Sequence, residues 1–438
     1  EPPNPERKVT RIESPATFIS KSKTFSANKP NYLVSLYFDM ISKNNQLLVC
    51  GMSSYDLTTG RGSFFESYSK KNDIHLALDD TIRFMESFPA QEMVVEFNFD
   101  ENAMVSNMNI NDIKSYLKLN EDIIYNISDY KKYKKIKYQT NILDSTFNFE
   151  NMINTIENLG LVQYNYSRIS LVALLEYVKN HQSNLISKLQ PPKMYMNNDN
   201  LYLGNRALEQ LNVLPLNNNK SLYNIICQAK SILGKRFLKN ELSNPITDIN
   251  TIETRYDLIE DFINNDIPDV LNIYLENIYD IEKIIRKMEI NIVNPCEVAQ
   301  LFKSLDNIQN ILEILKNTSF NEKLNSIEEV SMESIITNLT GFIEKWNERF
   351  YIEKMEKINF VNYVEDDTSF FIQKVYPHID SIQEDIDSCN NFLNELVSSL
   401  SSFIDDKNYF YKNKELINIK FNERDGHYLM LTNRRCRL

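Results

Sequence analysis

Glycine and proline are scarce. Only 8 Gly and 13 Pro occur in 438 residues, which excludes collagen-like and loop-dominated folds. Cysteine is sparse too, at 5. Cys50, Cys227, Cys296, Cys389 and Cys436 lie far apart with no CxxC pair. They read as free thiols rather than as a disulfide frame or a zinc site. The 4 His (His75, His181, His378, His427) are equally scattered, with no HxxxH pair. No uncharged apolar run reaches about 18 residues, so no membrane span or membrane partner is expected. No charged n-region with an apolar h-region opens the chain. These absences together predict a soluble intracellular protein, its compartment left open.

Nucleotide and hydrolase signatures are missing as well. There is no GxxxxGK[ST] loop: Gly234-Lys235 has Ala229 five positions before the Gly, inside a helical pattern. ATP binding by a P-loop is therefore not carried by these residues. Nor is there a GxSxG, HExxH or GxGxxG run, so Ser or zinc hydrolysis has no support and no catalytic, cofactor or metal residue is expected in this segment. Positive charge is in deficit, with 48 Lys and Arg against 60 Asp and Glu, net −12. An acidic whole argues against a generic polyanion binder. The deficit is uneven: residues 406–438 hold eight Lys or Arg and four Asp or Glu, so they are +4 and the remainder −16.

What is present is a 42% hydrophobic, 25% charged chain. That excludes wholesale disorder, and the length predicts two to four structural units. Residues 1–26 are polar and Pro-containing and read as a linker, with one short strand possible at Arg7–Ile12. Strands are predicted at Tyr32–Phe38, Gln46–Met52, Gly60–Phe65 and Met93–Phe97. A turn lies at Asp56-Leu57-Thr58-Thr59-Gly60 and a helix at Leu76–Ser87. This is α/β organisation, a sheet covered by helices. Beyond about residue 160 helix dominates: Ile169–His181, Ser221–Leu242, Asp248–Ile263 and Glu297–Leu315 show three-to-four-residue apolar spacing. Thr247-Asp248 is the expected N-cap region of the third.

Two further helices are more regular. Met332, Ile336, Leu339, Ile343, Trp346 and Phe350 are spaced 4-3-4-3-4. Ile379, Ile382, Ile386, Cys389, Leu393, Leu396, Leu400 and Phe403 sustain a heptad seam. A helix from Ile379 to Phe403 would span roughly 36 Å. The pair is expected to form a long antiparallel arm, with ordinary bundle core as the alternative. After it the period changes to two. Glu415–Phe421 and Tyr428–Thr432, joined by Asn422-Glu423-Arg424-Asp425-Gly426, form a hairpin candidate.

Four groups of residues invite chemistry. Asp39, Asp56 and Glu96 stand at or in strands; converging carboxylates could hold two Mg²⁺ for phosphodiester cleavage, although strand-end acids commonly cap turns. Lys131-Lys132-Tyr133-Lys134-Lys135-Ile136-Lys137-Tyr138 is basic with interleaved aromatics. It suits either a phosphate track or an amphipathic strand with a solvated lysine face. Phe64-Phe65-Glu66 has the Phe-x-Glu form of a wedge plus carboxylate, but its position in a strand makes core the simpler reading. Around the hairpin, Asn422, Arg424, His427, Arg434 and Arg435 supply donors near one tip, suited to phosphate contacts or to a solvated loop.

The order of these segments resembles the MutS family of DNA mismatch repair proteins. Glu6–Ile12 with Pro15 and Thr17 is similar to the linker that ends the family's mismatch-binding domain. Asn31-Tyr32-Leu33 and Asp56–Gly60 resemble its connector domain. Leu201-Tyr202-Leu203 with Asn205 and Leu208 resembles the start of its core. Ser221-Leu222, Gly234, Arg236, Leu242, Pro245, Asp248, Ile252, Arg255 and Asp257 follow its most specific signature, and Asp280–Lys283 and Asn294-Pro295 fit the segment after it. Ile419–Tyr428 resembles the clamp hairpin. There are departures: no aromatic precedes Gly426, and Asn240-Glu241 replaces a Trp before Leu242. The family's own Phe-x-Glu precedes the linker, so Phe64–Glu66 is not its equivalent.

The resemblance implies a multidomain chain. Residues 1–26 would be the linker from a missing mismatch-binding domain. Residues 27–163 would be an RNase H-like α/β connector, 164–404 an α-helical core and lever, and 405–438 a partial β clamp. It implies a double-stranded, mismatched DNA partner, a dimer with another MutS-like subunit, and downstream repair factors. ATP and Mg²⁺ are expected for the full-length protein and no cofactor in this segment. Two other readings remain: an RNase H-like metal-dependent nuclease, and a non-catalytic coiled-coil scaffold.

Overall fold

A computed structural model describes residues 13–19, 31–41, 47–100, 103–125, 130–149, 154–195, 200–201, 207–215, 220–316, 318, 320–321, 331–359, 369–401, 417–422 and 426–431. It divides into two compact units, residues 1–340 and 341–438.

The first unit is built on a sheet. Strands β1 (Tyr32–Met40), β2 (Leu48–Asp56) and β3 (Arg61–Tyr68) form an antiparallel meander. Helix α1 (Leu76–Ser87) then returns the chain to β4 (Ala90–Phe97), parallel to β1. The two-residue strand β5 (Ile124–Tyr125) extends that parallel side, and β6 (Lys193–Met194) pairs parallel with β3. The order across the sheet is β5-β4-β1-β2-β3-β6.

Both faces of this sheet are covered, which is why β1 and β2 read as near-continuous apolar runs. Leu33, Tyr37 and Tyr55 pack towards α3 (Ile136–Phe147) and α4 (Asn165–His181). Val34, Leu36, Phe38, Cys50 and Met52 pack towards α1 and α2 (Ile110–Tyr116). Helix α4 sits very close to β2: a Cβ on Gly51 would lie 2.1 Å from the Tyr166 carbonyl carbon. Serines stitch the contact, with Ser53 and Ser170 hydroxyls 2.9 Å apart and Ser170 donating to the Ser35 carbonyl at 2.8 Å. The segment before β1 is more than a tether. Ala16 and Thr17 are fully buried, and the Ser14 hydroxyl donates to Glu92 at 2.7 Å. The possible strand at Arg7–Ile12 lies outside the described residues.

The helices beyond the sheet follow the expected spacing, with one break. Ser221–Leu242 is not a single helix. One turn, Leu222–Ile226, is followed by α5 (Ile232–Ser243). Each begins on a serine: Ser221 accepts from the Asn224 amide and Ser231 from the Gly234 amide. Two N-caps within eleven residues interrupt the ladder, because a cap residue adopts extended backbone. Helix α6 (Ile249–Asn264) starts where expected, the Asp248 carboxylate accepting from the Thr251 amide at 2.8 Å. Then follow α7 (Ile267–Leu275), α8 (Ile281–Glu289) and α9 (Pro295–Leu315). Asn294 and Glu297 form a capping box ahead of α9, with Pro295 in its first turn, where its missing N–H costs nothing.

Helix α10 (Met332–Asn347) begins in the first unit. Met332 is buried there with Ile267, Leu271 and Leu315. The second unit holds the end of α10, α11 (Pro377–Ser401) and the hairpin β7 (Asn418–Asn422) with β8 (Gly426–Met430). Aromatic rings lead from α10 towards α11: Phe342 to Trp346 at 5.3 Å, Trp346 to Phe350 at 5.0 Å, Phe350 to Phe371 at 5.4 Å, and Phe371 to Tyr376 at 5.5 Å.

Candidate nucleic-acid interface

Helix α11 is 25 residues long, about 37 Å at 1.5 Å per residue. None of its described side chains is fully buried. Seam positions Ile382, Ile386 and Leu400 are 47%, 45% and 40% exposed, so the heptad spacing marks a regular helix with an open apolar stripe. Its charges are of one sign along that length: Asp380, Glu384, Asp385, Asp387 and Glu395, with no Lys or Arg between Pro377 and Ser401. Phe403 lies outside the described residues.

The hairpin stands after this helix. Asn418↔Met430, Ile419↔Leu429, Lys420↔Tyr428, Phe421↔His427 and Asn422↔Gly426 are its rungs. Gly426 has φ +74°, a left-handed conformation that a Gly provides without a Cβ penalty. Asn422 and His427 occupy neighbouring rungs of the ribbon. Lys420, His427, Tyr428 and Met430 are exposed. Arg424, Arg434 and Arg435 lie outside the described residues, as does Cys436. Among the described cysteines Cys50 and Cys296 are buried, and all four are free thiols.

In the first unit, a charged junction fastens the helices to the sheet. Arg236 of α5 grips Asp280 with both terminal nitrogens, at 2.9 and 2.7 Å, and donates to Glu282 at 2.8 Å. Glu282 also receives Arg61 of β3 at 2.5 Å. Asp280 is the N-cap of α8, where a negative charge suits the helix dipole. One turn further along α8, Arg286 is 1% exposed in side chain and lies against the β2–β3 turn at Gly60. It donates to the carbonyls of Leu185, Ser187 and Lys188, the closest at 2.5 Å, and to Glu289 at 3.2 Å. Burial lowers its guanidinium pKa, and Glu289 opposes that shift. Next to it, buried Lys287 pairs with Glu297 of α9.

Arg236, Glu282 and Asp280 stood in the stretches singled out from sequence, but Arg286 did not. Its only signal was position: four residues after Glu282, one turn along the face that meets β3. Chemically the junction is a set of satisfied ion pairs and carbonyl contacts, suited to holding helices at a fixed angle to the sheet.

The carboxylates considered for Mg²⁺ do not converge. In the β1–β2 register Asp56 faces Tyr32 while Asp39 faces Val49. Seven residues of strand separate the two acids, about 23 Å. Asp56 closes its own turn, accepting from the Thr58 amide at 2.9 Å and hydroxyl at 2.6 Å. Asp39 accepts from Asn98 at 2.7 Å and from the Met40 amide at 2.8 Å. Glu96 lies on β4 opposite Tyr37, and burial pushes its pKa up to about 7, against an opposing effect of Lys134. No cluster of three or more metal-ligating side chains occurs among the described residues.

The other two groups also resolve. Lys131–Tyr138 is not a strand: Tyr130–Lys134 is a 3₁₀ turn and α3 begins at Ile136. Lys131, Lys134, Lys135 and Lys137 are exposed, while Lys132 pairs with Glu176 at 2.5 Å. Phe64 is core at 4% exposure. Glu66 caps α4, accepting from the amides of Tyr166 and Ser167 at 2.7 and 2.8 Å.

MutS domain III is matched over residues 206–408. The mutS homolog of Acanthamoeba polyphaga mimivirus is 31% identical over 463 aligned positions, covering 98% of this chain and 40% of that relative. DNA mismatch repair protein MutS of Caldanaerobacter subterraneus is 27% identical over 342, covering 74% and 35%. The MutS of Petrotoga mobilis is 24% identical over 314, covering 71% and 34%. The chain thus spans well under half the length of these relatives. No described helix is long and apolar enough to cross a membrane.

Proposed function

This chain belongs to the MutS family, and on that premise we propose that it is the central part of a mismatch repair protein that binds mismatched double-stranded DNA under ATP control. Residues 27–163 are the connector, 164–404 the core and lever, and 405–438 the clamp portion. Three antiparallel strands followed by β4 parallel to β1 and β5 parallel to β4 support an RNase H-like connector. The match to domain III over residues 206–408 supports the lever. In this reading ATP and Mg²⁺ serve another part of the full-length protein, which works as a dimer with a second MutS-like subunit and hands over to downstream repair factors.

The observation that carries the proposal is the succession of α11 and the β7–β8 hairpin. A helix about 37 Å long leads to a ribbon whose exposed residues include Lys420, His427 and Tyr428. Basic and polar groups on a narrow ribbon suit the phosphate backbone, giving binding with little sequence preference and a strong salt dependence. Asn422, Arg424, His427, Arg434 and Arg435 are the clamp residues in this reading. Duplex binding at low salt, measured by anisotropy, tests it. The Arg424→Ala, Arg434→Ala double variant should lose most of that binding, and unchanged affinity would overturn the clamp assignment.

A further inference from the structure

A cavity of about 370 Å³ lies between α1, the end of α2, residues 208–215 and α5. Its volume falls within the range of small-molecule sites, about 300–1,000 Å³. Ile82, Met85, Pro89, Leu117 and Leu214 supply apolar wall. Ile82, Met85 and Leu117 belong to the cluster under the sheet, and Leu214 to a smaller one with Leu208 and Val213. The space is the unfilled seam between two cores. Atoms lining such a void lack packing partners on one side, and an apolar body placed there restores those contacts.

One charged group in the wall stands apart. Glu86 and Lys118 each have interactions of their own. Lys239 of α5 is half-buried, and among the described residues its ammonium makes no ion pair or hydrogen bond. Burial pushes the amine below its ordinary value, and no acid opposes that shift. A partly desolvated ammonium without an anion is unfavourable, and a carboxylate brought against it offsets that cost. A single ammonium, without an arginine fork, is a compact point charge that one carboxylate neutralises.

We propose that this cavity binds an amphipathic carboxylate. The hydrocarbon body lies against Ile82, Met85, Leu117 and Leu214, and the carboxylate meets the Lys239 ammonium. Such a ligand touches α1 and α5 together and fills the seam between the sheet layer and the first long helix beyond it.

Octanoate and 1-octanol, which differ only at the head group, are suitable probes for calorimetric titration of the 438-residue chain. Octanoate should bind saturably and at least tenfold more tightly than octanol. Lys239→Met should bring the two to equal affinity, Lys239→Arg should keep the preference, and Leu214→Trp should abolish binding of both. Equal affinities in the wild-type chain would overturn the proposal. So would octanoate binding unaltered by Lys239→Met, or no saturable binding to the folded wild type. Because Lys239→Met leaves the apolar wall intact, its octanol affinity shows that the variant still folds around the cavity.

Discussion

Gly60 of the β2–β3 turn and Arg286 of α8 are fitted to one another. Gly60 has φ +73°, and a Cβ there would come within 3.2 Å of the Arg286 Cδ. The turn is drawn tight by the Asp56 carbonyl, which accepts from the Gly60 amide at 2.8 Å. The space above it is filled by a guanidinium that satisfies three carbonyls of the 185–188 turn. Gly60→Ala should therefore cost about 1–2 kcal/mol through left-handed backbone strain. Arg286→Ala should cost roughly 3 kcal/mol, since charged hydrogen bonds are lost and buried carbonyls lose their donor. Hydrogen exchange at the Thr59 and Gly60 amides reads the change locally; exchange no faster than wild type in Arg286→Ala would show that α8 does not hold the turn.

The ion pairs around Glu282 separate by burial. Arg61 is mostly exposed, so the Arg61–Glu282 pair should couple by no more than about 0.5 kcal/mol in a double-mutant cycle. Arg236 holds Asp280 bidentately at much lower exposure, and the same cycle should give about 1–2 kcal/mol. Equal couplings would mean that the bidentate geometry contributes nothing.

Much of this was readable from residues alone, for physical reasons that can be named. The α1 helix, the β1 run and the Asp248 cap are local, set by periodicity and by side chain-to-amide hydrogen bonds within four residues. What was not readable depends on partners far away in sequence. Asp39 and Asp56 are parted by an antiparallel register, which no spacing encodes. The lysine run suits a phosphate track or an amphipathic strand by its spacing alone, yet Tyr133 is buried in the core and the chain forms a 3₁₀ turn there. Arg286 looks like an ordinary solvated arginine on an amphipathic helix; only the folded turn at Leu185–Lys188 gives it acceptors. The hairpin is legible because a change of period and a turn-forming Gly426 are local signals, and the structure pairs Asn418–Asn422 with Gly426–Met430.

Glu96 makes one end of the sheet sensitive to pH. Burial disfavours the anion and pushes its carboxyl pKa up from the ordinary 4.5 to about 7 in the folded chain. The folded state therefore holds a proton between pH 4.5 and 7 that the unfolded state has released. This group's destabilisation is absent below about 4.5, grows through that window and is complete above 7. Glu96→Gln should stabilise the chain at pH 8 by the order of 1 kcal/mol once solvent screening is allowed for. It should leave stability at pH 4 unchanged. Thermal melts at the two pH values measure the difference, and an equal gain at both would assign the effect to packing instead.

The proposed clamp reading carries a salt law. If Arg424 and Arg434 each neutralise one phosphate, each Ala substitution should reduce the log–log slope of duplex affinity against salt by about 0.9. Matched and mismatched duplexes should lose affinity alike, because phosphate contacts carry no sequence information. A loss confined to one duplex would point to base readout at the hairpin.

The two regular helices should respond oppositely to substitution. Met332 at the start of α10 is 1% exposed and packs with Ile267, Leu271 and Leu315, so Met332→Ala should cost about 2–3 kcal/mol from lost contacts and the cavity left behind. Ile386 sits in the equally regular α11 stripe at 45% exposure. Ile386→Gln should change the stability of this chain by less than about 0.5 kcal/mol, as most surface substitutions do. Urea unfolding followed by far-ultraviolet dichroism measures both. A cost above 2 kcal/mol for Ile386→Gln would mean that the α11 stripe is covered in solution, and the apolar spacing would then report a buried seam rather than an open one.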